Sequence, residues 1–175
     1  YFTEGSVGAG NNGVFEYKSC RIGLSLCEDI WHPEPIAKAK TAGAQLLLSL
    51  NASPFHVGKT GEREQVLQRR IQESGIPILY VNQVGGQDEL VFDGGSIAIA
   101  ADGRLHARAP QFEVANTAVE IVLADAAVVI TAGHTAVELS QQASVYKALV
   151  MGVRDYVNKN GFKRTILGLS GGIDS

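Results

Sequence analysis

The chain has 175 residues, a formal net charge of −3, 45% hydrophobic and 19% charged residues, which suits one globular domain with a real core, or parts of two. That charge gives no electrostatic case for nucleic acid or an anionic membrane surface, so neither is expected as a partner. No apolar run approaches the roughly 18 residues that span a bilayer, and "YFTEGSVGAG" has neither the basic start nor the apolar stretch of a signal peptide, so the cytoplasm is the expected compartment.

In chain order, "CRIGLSLC" from Cys20 reads as a strand, and "PEPIAKAKTAG" as a helix with prolines near its start and Gly43 at its end. "AQLLLSLNAS" is a second strand, "GEREQVLQRRIQESG" a helix closed by Gly75, and "PILYVNQVGG" a third strand. The strands are continuously apolar, as strands covered on both faces tend to be. This is the rhythm of an α/β layered domain. Beyond Asp88, residues 101–104 predict a hairpin turn between two short strands. "EVANTAVEIVLADAAVVITAG" then either continues the sheet or links it to the next unit. From Leu139 a second texture begins. Val145, Leu149, Val153 and Tyr156, widened by Tyr146, Val150 and Val157, predict the apolar face of a helix ended by Asn160 and Gly161. "FKRTILGLS" predicts a strand, and "GGIDS" its exit. Helix and strand look like the opening of a second α/β domain.

Chemistry concentrates first at "LSLCEDIW". A thiol at the C-terminal end of a buried strand sits where α/β folds place active sites, although a free cysteine is also a common core residue. Glu28 and Asp29 follow it directly, and negative charge disfavours a thiolate, so a catalytic Cys27 needs a cation or base from elsewhere. His32 and His56 are the nearby histidines; a Cys-His pair and plain surface histidines both stay open. Cys20 and Cys27 fit neither a zinc spacing nor a disulfide framework. In "LNASPFHVGK", Ser53 and Lys59 form either a surface turn or a pocket lip for a zwitterionic substrate; spacing alone does not choose. "GLSGGIDS" predicts a phosphate-binding turn, since adjacent glycines let backbone N–H groups approach an anion. Without a Lys-Ser/Thr pair it is not a Walker-type loop.

Together, "CRIGLSLCEDIWHPEP", "LLLSLNASPFHVGK", "REQVLQRRI", "IPILYVNQVGGQDELVFDGGS" and "SGGIDS" resemble the glutamine-dependent NAD synthetases. In that family a nitrilase-type (carbon-nitrogen hydrolase) glutaminase domain precedes an ATP pyrophosphatase-loop synthetase domain. The resemblance implies a partial α-β-β-α sandwich, then the first helix and strand of an α/β pyrophosphatase domain. It places the back of the glutaminase domain at 1–112, a linker or last strands at 113–138, and the start of the ATP-binding domain at 139–175. By the same likeness Cys27 is the nucleophile that attacks the glutamine amide, Ser53 and Lys59 bind glutamine, and the N–H after Cys27 is an oxyanion donor. Gly168, Leu169, Ser170, Gly171, Gly172, Ile173, Asp174 and Ser175 form the ATP loop. ATP and deamido-NAD join L-glutamine as substrates, and magnesium is expected with ATP, with Asp174 a candidate ligand. The family's glutamate base and lysine are expected before Tyr1, so the chain is expected to be an inactive piece of a longer, homo-oligomeric enzyme. A stand-alone amidase and a non-enzymatic binding module remain alternatives.

Overall fold

Apolar strands need hydrogen-bonding neighbours on both edges, and parallel ones need a helical crossover between them. The computed structural model, which describes residues 13–124 and 127–173, meets both needs. β1 (Val14–Tyr17) pairs antiparallel with β2 (Cys20–Leu26), and β2 pairs in parallel with β3 (Leu46–Asn51) and β3 with β4 (Ile78–Asn82). α1 (Pro33–Thr41) makes the first crossover and α2 (Lys59–Ser74) the second. The expected end signals hold: proline opens α1, and Gly75 closes α2 in a left-handed conformation. Ile36 and Ala39 of α1, and Leu67 and Ile71 of α2, pack on Leu47, Ile78 and Tyr80, so both helices cover one face of the sheet.

The single strand expected over 77–86 breaks at Gln83. Its N–H donates to Asn51 O at 2.9 Å and its carbonyl accepts from Gly94, which turns the chain out of the sheet. β5 (Val84–Gln87) and β6 (Leu90–Asp93) form a separate hairpin there. β7 (Ile97–Ile99) and β8 (Leu105–Arg108), joined by the expected 101–104 turn, return to complete the order β1-β2-β3-β4-β7-β8.

β9 (Val119–Ala124) and β10 (Ala127–Gly133) are a hairpin of their own that lies on the face opposite the helices. Val128 packs with Cys20, Ile22 and Leu46, and Ile130 with Ala98, Ala100 and Ala107. Cover on this face is partial among the described residues. Leu24, Leu26, Leu50 and Val81 are 44–59% exposed, so the expectation of strands buried on both faces holds for one half of the sheet. The described layers are therefore one helix layer and one sheet of a sandwich.

α3 (Gln141–Lys159) forms as predicted and ends at Asn160, but it turns a different face inward. Ser144, Ala148 and Met151 are buried, the last two beside Phe112, while Leu149 and Val153 are each 65% exposed. The reason is close approach of backbones. A Cβ on Gly86 would lie 3.3 Å from Gly152 Cα and from Met151 O, so α3 meets β5 by its Gly152 side. Lys159 Nζ then donates to Gly86 O at 2.6 Å. The strand expected at 162–170 does not form. A strand needs a partner to satisfy its backbone, and Ile166, Leu167 and Leu169 are exposed with no sheet beside them.

Candidate active site

Three strand ends converge at the C-terminal edge of the parallel sheet. Asn51 lies opposite Asn82 in register, and Leu26, the last residue of β2, lies opposite Leu50. Cys27 comes next, opening a 3-10 turn over Cys27–Trp31. Its φ is +44°, a region that non-glycine residues rarely adopt. Such strain persists only where the surroundings enforce it, and it clusters at functional residues. Here it lifts a part-buried thiol at the turn from strand into helix. The first N–H groups of such a turn have no acceptor within it, so the Glu28 N–H is available to an oxyanion.

The two carboxylates beside the thiol have work of their own. Asp29 Oδ2 accepts the Leu26 N–H at 2.8 Å, which caps the turn. Glu28 meets His32 at 3.5 Å on the surface. His56 sits 3.0 Å from Val57 O through Nδ1 and 3.5 Å from Glu62 through Nε2. The two rings are thus engaged with carboxylates and a carbonyl, and the Cys-His alternative gains no support.

Lys59 comes to this turn from α2. Its ammonium stands 4.1 Å from the centre of the Trp31 ring, a cation–π contact, and 3.3 Å from Glu62 Oε2. The lysine thereby ties the loop after β3 to the turn that carries Cys27. Ser53, in that loop, is buried. Its N–H donates to Asn82 Oδ1 at 2.9 Å, and its hydroxyl accepts from Arg63 Nε at 3.2 Å. Arg63 also pairs with Asp93, 2.8 Å from Oδ1 and donating to Oδ2 at 2.9 Å. Beside this group the Tyr80 hydroxyl is buried without a hydrogen bond. Burial pushes the Tyr80 phenol up, against the pull of the Arg63 cation. The Ser53 hydroxyl pulls in the same direction as Arg63, although it does not reach hydrogen-bonding geometry with the phenol.

Cys27, Ser53 and Lys59 thus belong to one end of the sheet. The glycine loop follows α3 in the chain. Ser170 Oγ accepts the Gly172 N–H at 3.4 Å, and Gly171 has φ +81°, so the chain turns there. Leu169 and Ile173 are exposed, and a Cβ on Gly168 or Gly171 would meet open space. Asp174 and Ser175 lie outside the described residues. Among the described residues no group of three or more His, Cys, Asp or Glu could hold a metal ion. No helix among them is long and apolar enough to cross a membrane.

Sequence reasoning passed over Arg63, Asn82, Asp93 and Trp31. Arg63 had a visible signal: it heads the stripe continued by Leu67 and Ile71, where a buried charge needs a partner. The partner, Asp93, is 30 residues away and left no local trace.

The carbon-nitrogen hydrolase family model matches residues 1–131, and the NAD synthase model matches residues 145–175. The chain is 42% identical to a glutamine-dependent NAD(+) synthetase of Xylella fastidiosa over 166 residues, covering 95% of this chain and 30% of that one. It is 36% identical to the enzyme of the same name from Synechocystis, over 95% of this chain and 32% of that protein. A solved Acinetobacter baumannii glutamine-dependent NAD+ synthetase, in complex with adenosine diphosphate, superposes with a TM-score of 0.82 at 39% identity, covering 92% of this chain and 30% of that one. An amidase of the nitrilase superfamily from Nesterenkonia covers 55% of this chain and 36% of its own, with a TM-score of 0.51 at 30% identity. The chain spans about a third of the length of the curated relatives it matches.

Proposed function

From the chain's membership of the carbon-nitrogen hydrolase family, matched over residues 1–131, we propose that it is part of a glutamine-hydrolysing NAD+ synthase. One observation carries this beyond the family. The same chain matches the NAD synthase model over residues 145–175, shortly after the carbon-nitrogen hydrolase match ends at residue 131. An amidase that acts alone has no use for that second match.

In the proposed reaction the Cys27 sulfur attacks the side-chain amide carbon of glutamine, and the Glu28 N–H stabilises the oxyanion. Ammonia leaves, a thioester remains, and water releases glutamate. Ser53 and Lys59 hold the amino-acid end of the substrate. The base that takes the thiol proton is assigned, on the family likeness, to a part of the parent protein outside this chain. Ammonia then passes to the synthetase unit, where the nicotinate carboxylate of deamido-NAD attacks the α-phosphorus of ATP and pyrophosphate departs. Ammonia adds to the resulting acyl adenylate, and AMP leaves to give NAD. The residues assigned to ATP are Gly168, Leu169, Ser170, Gly171, Gly172, Ile173, Asp174 and Ser175. Gly171 and Gly172 present backbone N–H groups to its phosphates. The parent is further proposed to be a cytoplasmic homo-oligomer, and the domain limits 1–112, 113–138 and 139–175 belong to the same proposal.

Isotope transfer tests it. The full-length protein is given glutamine labelled with 15N at the amide, ATP and deamido-NAD. The expected product is NAD with 15N in its carboxamide. Glutamate and free ammonia without NAD would leave the amidase reading in its place.

A further inference from the structure

Arg63 and Asp93 are almost sealed from solvent, with side chains 6% and 1% exposed. Charge neutralisation needs one edge of the guanidinium, and Nη1 alone supplies it. The other two nitrogens turn to the loop after β3: Nε donates to Ser53 Oγ at 3.2 Å, and Nη2 to Ser53 O at 2.8 Å and Pro54 O at 3.3 Å. Asn82 closes the other side. Its Oδ1 accepts the Ser53 N–H, and its Nδ2 donates to Ser53 O at 3.3 Å and Gly94 O at 3.1 Å. Side chains from α2 and β4 therefore hold the hydroxyl and both backbone groups of Ser53.

We propose that Arg63 is a positioning residue for the substrate α-carboxylate, acting through Ser53; this rests on the assignment of Ser53 to the glutamine site. A serine hydroxyl has one proton to give and lone pairs to receive. With the cationic Nε–H on one of its lone pairs, the Ser53 hydroxyl keeps its proton for an acceptor other than Arg63, and substrate competes for it with the unpaired Tyr80 hydroxyl. A hydroxyl held as donor selects an oxygen acceptor, so Ser53 meets the substrate α-carboxylate rather than the ammonium. Packing alone does not require this arrangement, since a buried ion pair is commonly replaceable by apolar residues at little cost. Lysine keeps the charge for Asp93 but has no planar fork with which to reach Ser53 and Pro54 together.

The test compares Arg63→Lys, Ser53→Ala and the double variant in the full-length enzyme, with glutamine as the varied substrate. Arg63→Lys is expected to raise the glutamine KM about tenfold, with kcat within about threefold of wild type. The double variant is expected to be no worse than the worse single, because both changes remove the same contact. Losses that add, or an unchanged KM in Arg63→Lys, overturn the role of Arg63. If a wild-type enzyme that transfers 15N to NAD shows an unaltered Arg63→Lys, the function stands and the positioning role falls; if the wild type does not transfer the label, both fall. Where Arg63→Lys does not fold, a glutamine-bound structure of the full-length Cys27→Ala protein decides. Ser53 Oγ is expected within hydrogen-bond distance of both Arg63 Nε and a substrate oxygen. A hydroxyl turned away from Arg63, or bonded to the substrate ammonium, overturns the proposal.

Discussion

The Asp155 carboxylate accepts the Gly86 N–H at 2.7 Å, joining α3 to β5 across 69 residues of sequence. The hydrogen bond from Arg154, foremost, together with that N–H, holds the Asp155 carboxyl below the usual carboxylate range. Arg154 shares the helix with Asp155 and stays with it on undocking, so it is the share of the lowering due to the Gly86 N–H that favours docking above the ordinary carboxylate range and is lost as pH falls through the lowered value. The protection factors of α3 amides, taken relative to intrinsic exchange at each pH, are expected to fall on acidification through that range. Asp155→Asn is expected to flatten the dependence; an unchanged pH profile in the variant would remove Asp155 from the joint.

Gly86→Ala tests the same contact sterically. The added Cβ meets backbone at Gly152 and Met151, which cannot swing aside as a side-chain tip can. Overpacking of this kind costs about 1–3 kcal/mol. Faster exchange is expected in α3, with β2 to β4 left at wild-type protection, as read residue by residue by mass spectrometry or NMR.

Cys27 separates strain from chemistry. At φ +44° glycine is easier to accommodate than any L-residue. Cys27→Gly is therefore expected to stabilise the protein by about 1 kcal/mol in urea unfolding while ending glutamine-dependent NAD formation in the full-length enzyme. Cys27→Ala is expected to end it too, with ammonia-dependent formation surviving, because the thiol serves the first half-reaction alone. Equal loss with ammonia would take the nucleophile's role from Cys27.

Lys59→Ala and Ser53→Ala are expected to act mainly on the glutamine KM, since a contact made equally in ground and transition states appears there. Lys59→Ala also removes the cation from the Trp31 ring, a contact worth about 0.5–2 kcal/mol. It is therefore expected to lower the unfolding midpoint as well. A collapse of kcat at constant KM would place either residue in bond breaking.

Gly171→Val is expected to abolish ATP binding and both routes to NAD, while glutamine hydrolysis persists. Gly171 sits at φ +81° in open space, so the valine is resisted by its own backbone and not by a neighbour, at about 1–3 kcal/mol. Calorimetric titration of the full-length variant with ATP is the measurement. Near-normal affinity would make the loop an ordinary turn.

Local chemistry in the sequence determined β2, α1, β3, α2 and the start of β4 closely. Proline before α1, Gly75 after α2 and the apolar runs of β2, β3 and β4 act through backbone preferences and side-chain period, which are properties of adjacent residues. The thiol at the end of β2 was legible for the same reason. Tertiary structure alone decided which stripe of α3 is buried. Periodicity marks Val145, Leu149 and Val153 as apolar, but contact with Phe112 and with Gly86 buries Ala148 and Met151 instead. It also decided that 162–170 is no strand, because strand propensity is realised only where another strand accepts the hydrogen bonds. Ser53 was visible as a hydroxyl in a loop. Its anchors, Arg63 with Asp93 on one side and Asn82 on the other, come together only when α2, β4 and β6 meet, since hydrogen bonds between residues some 30 positions apart leave no pattern in the chain.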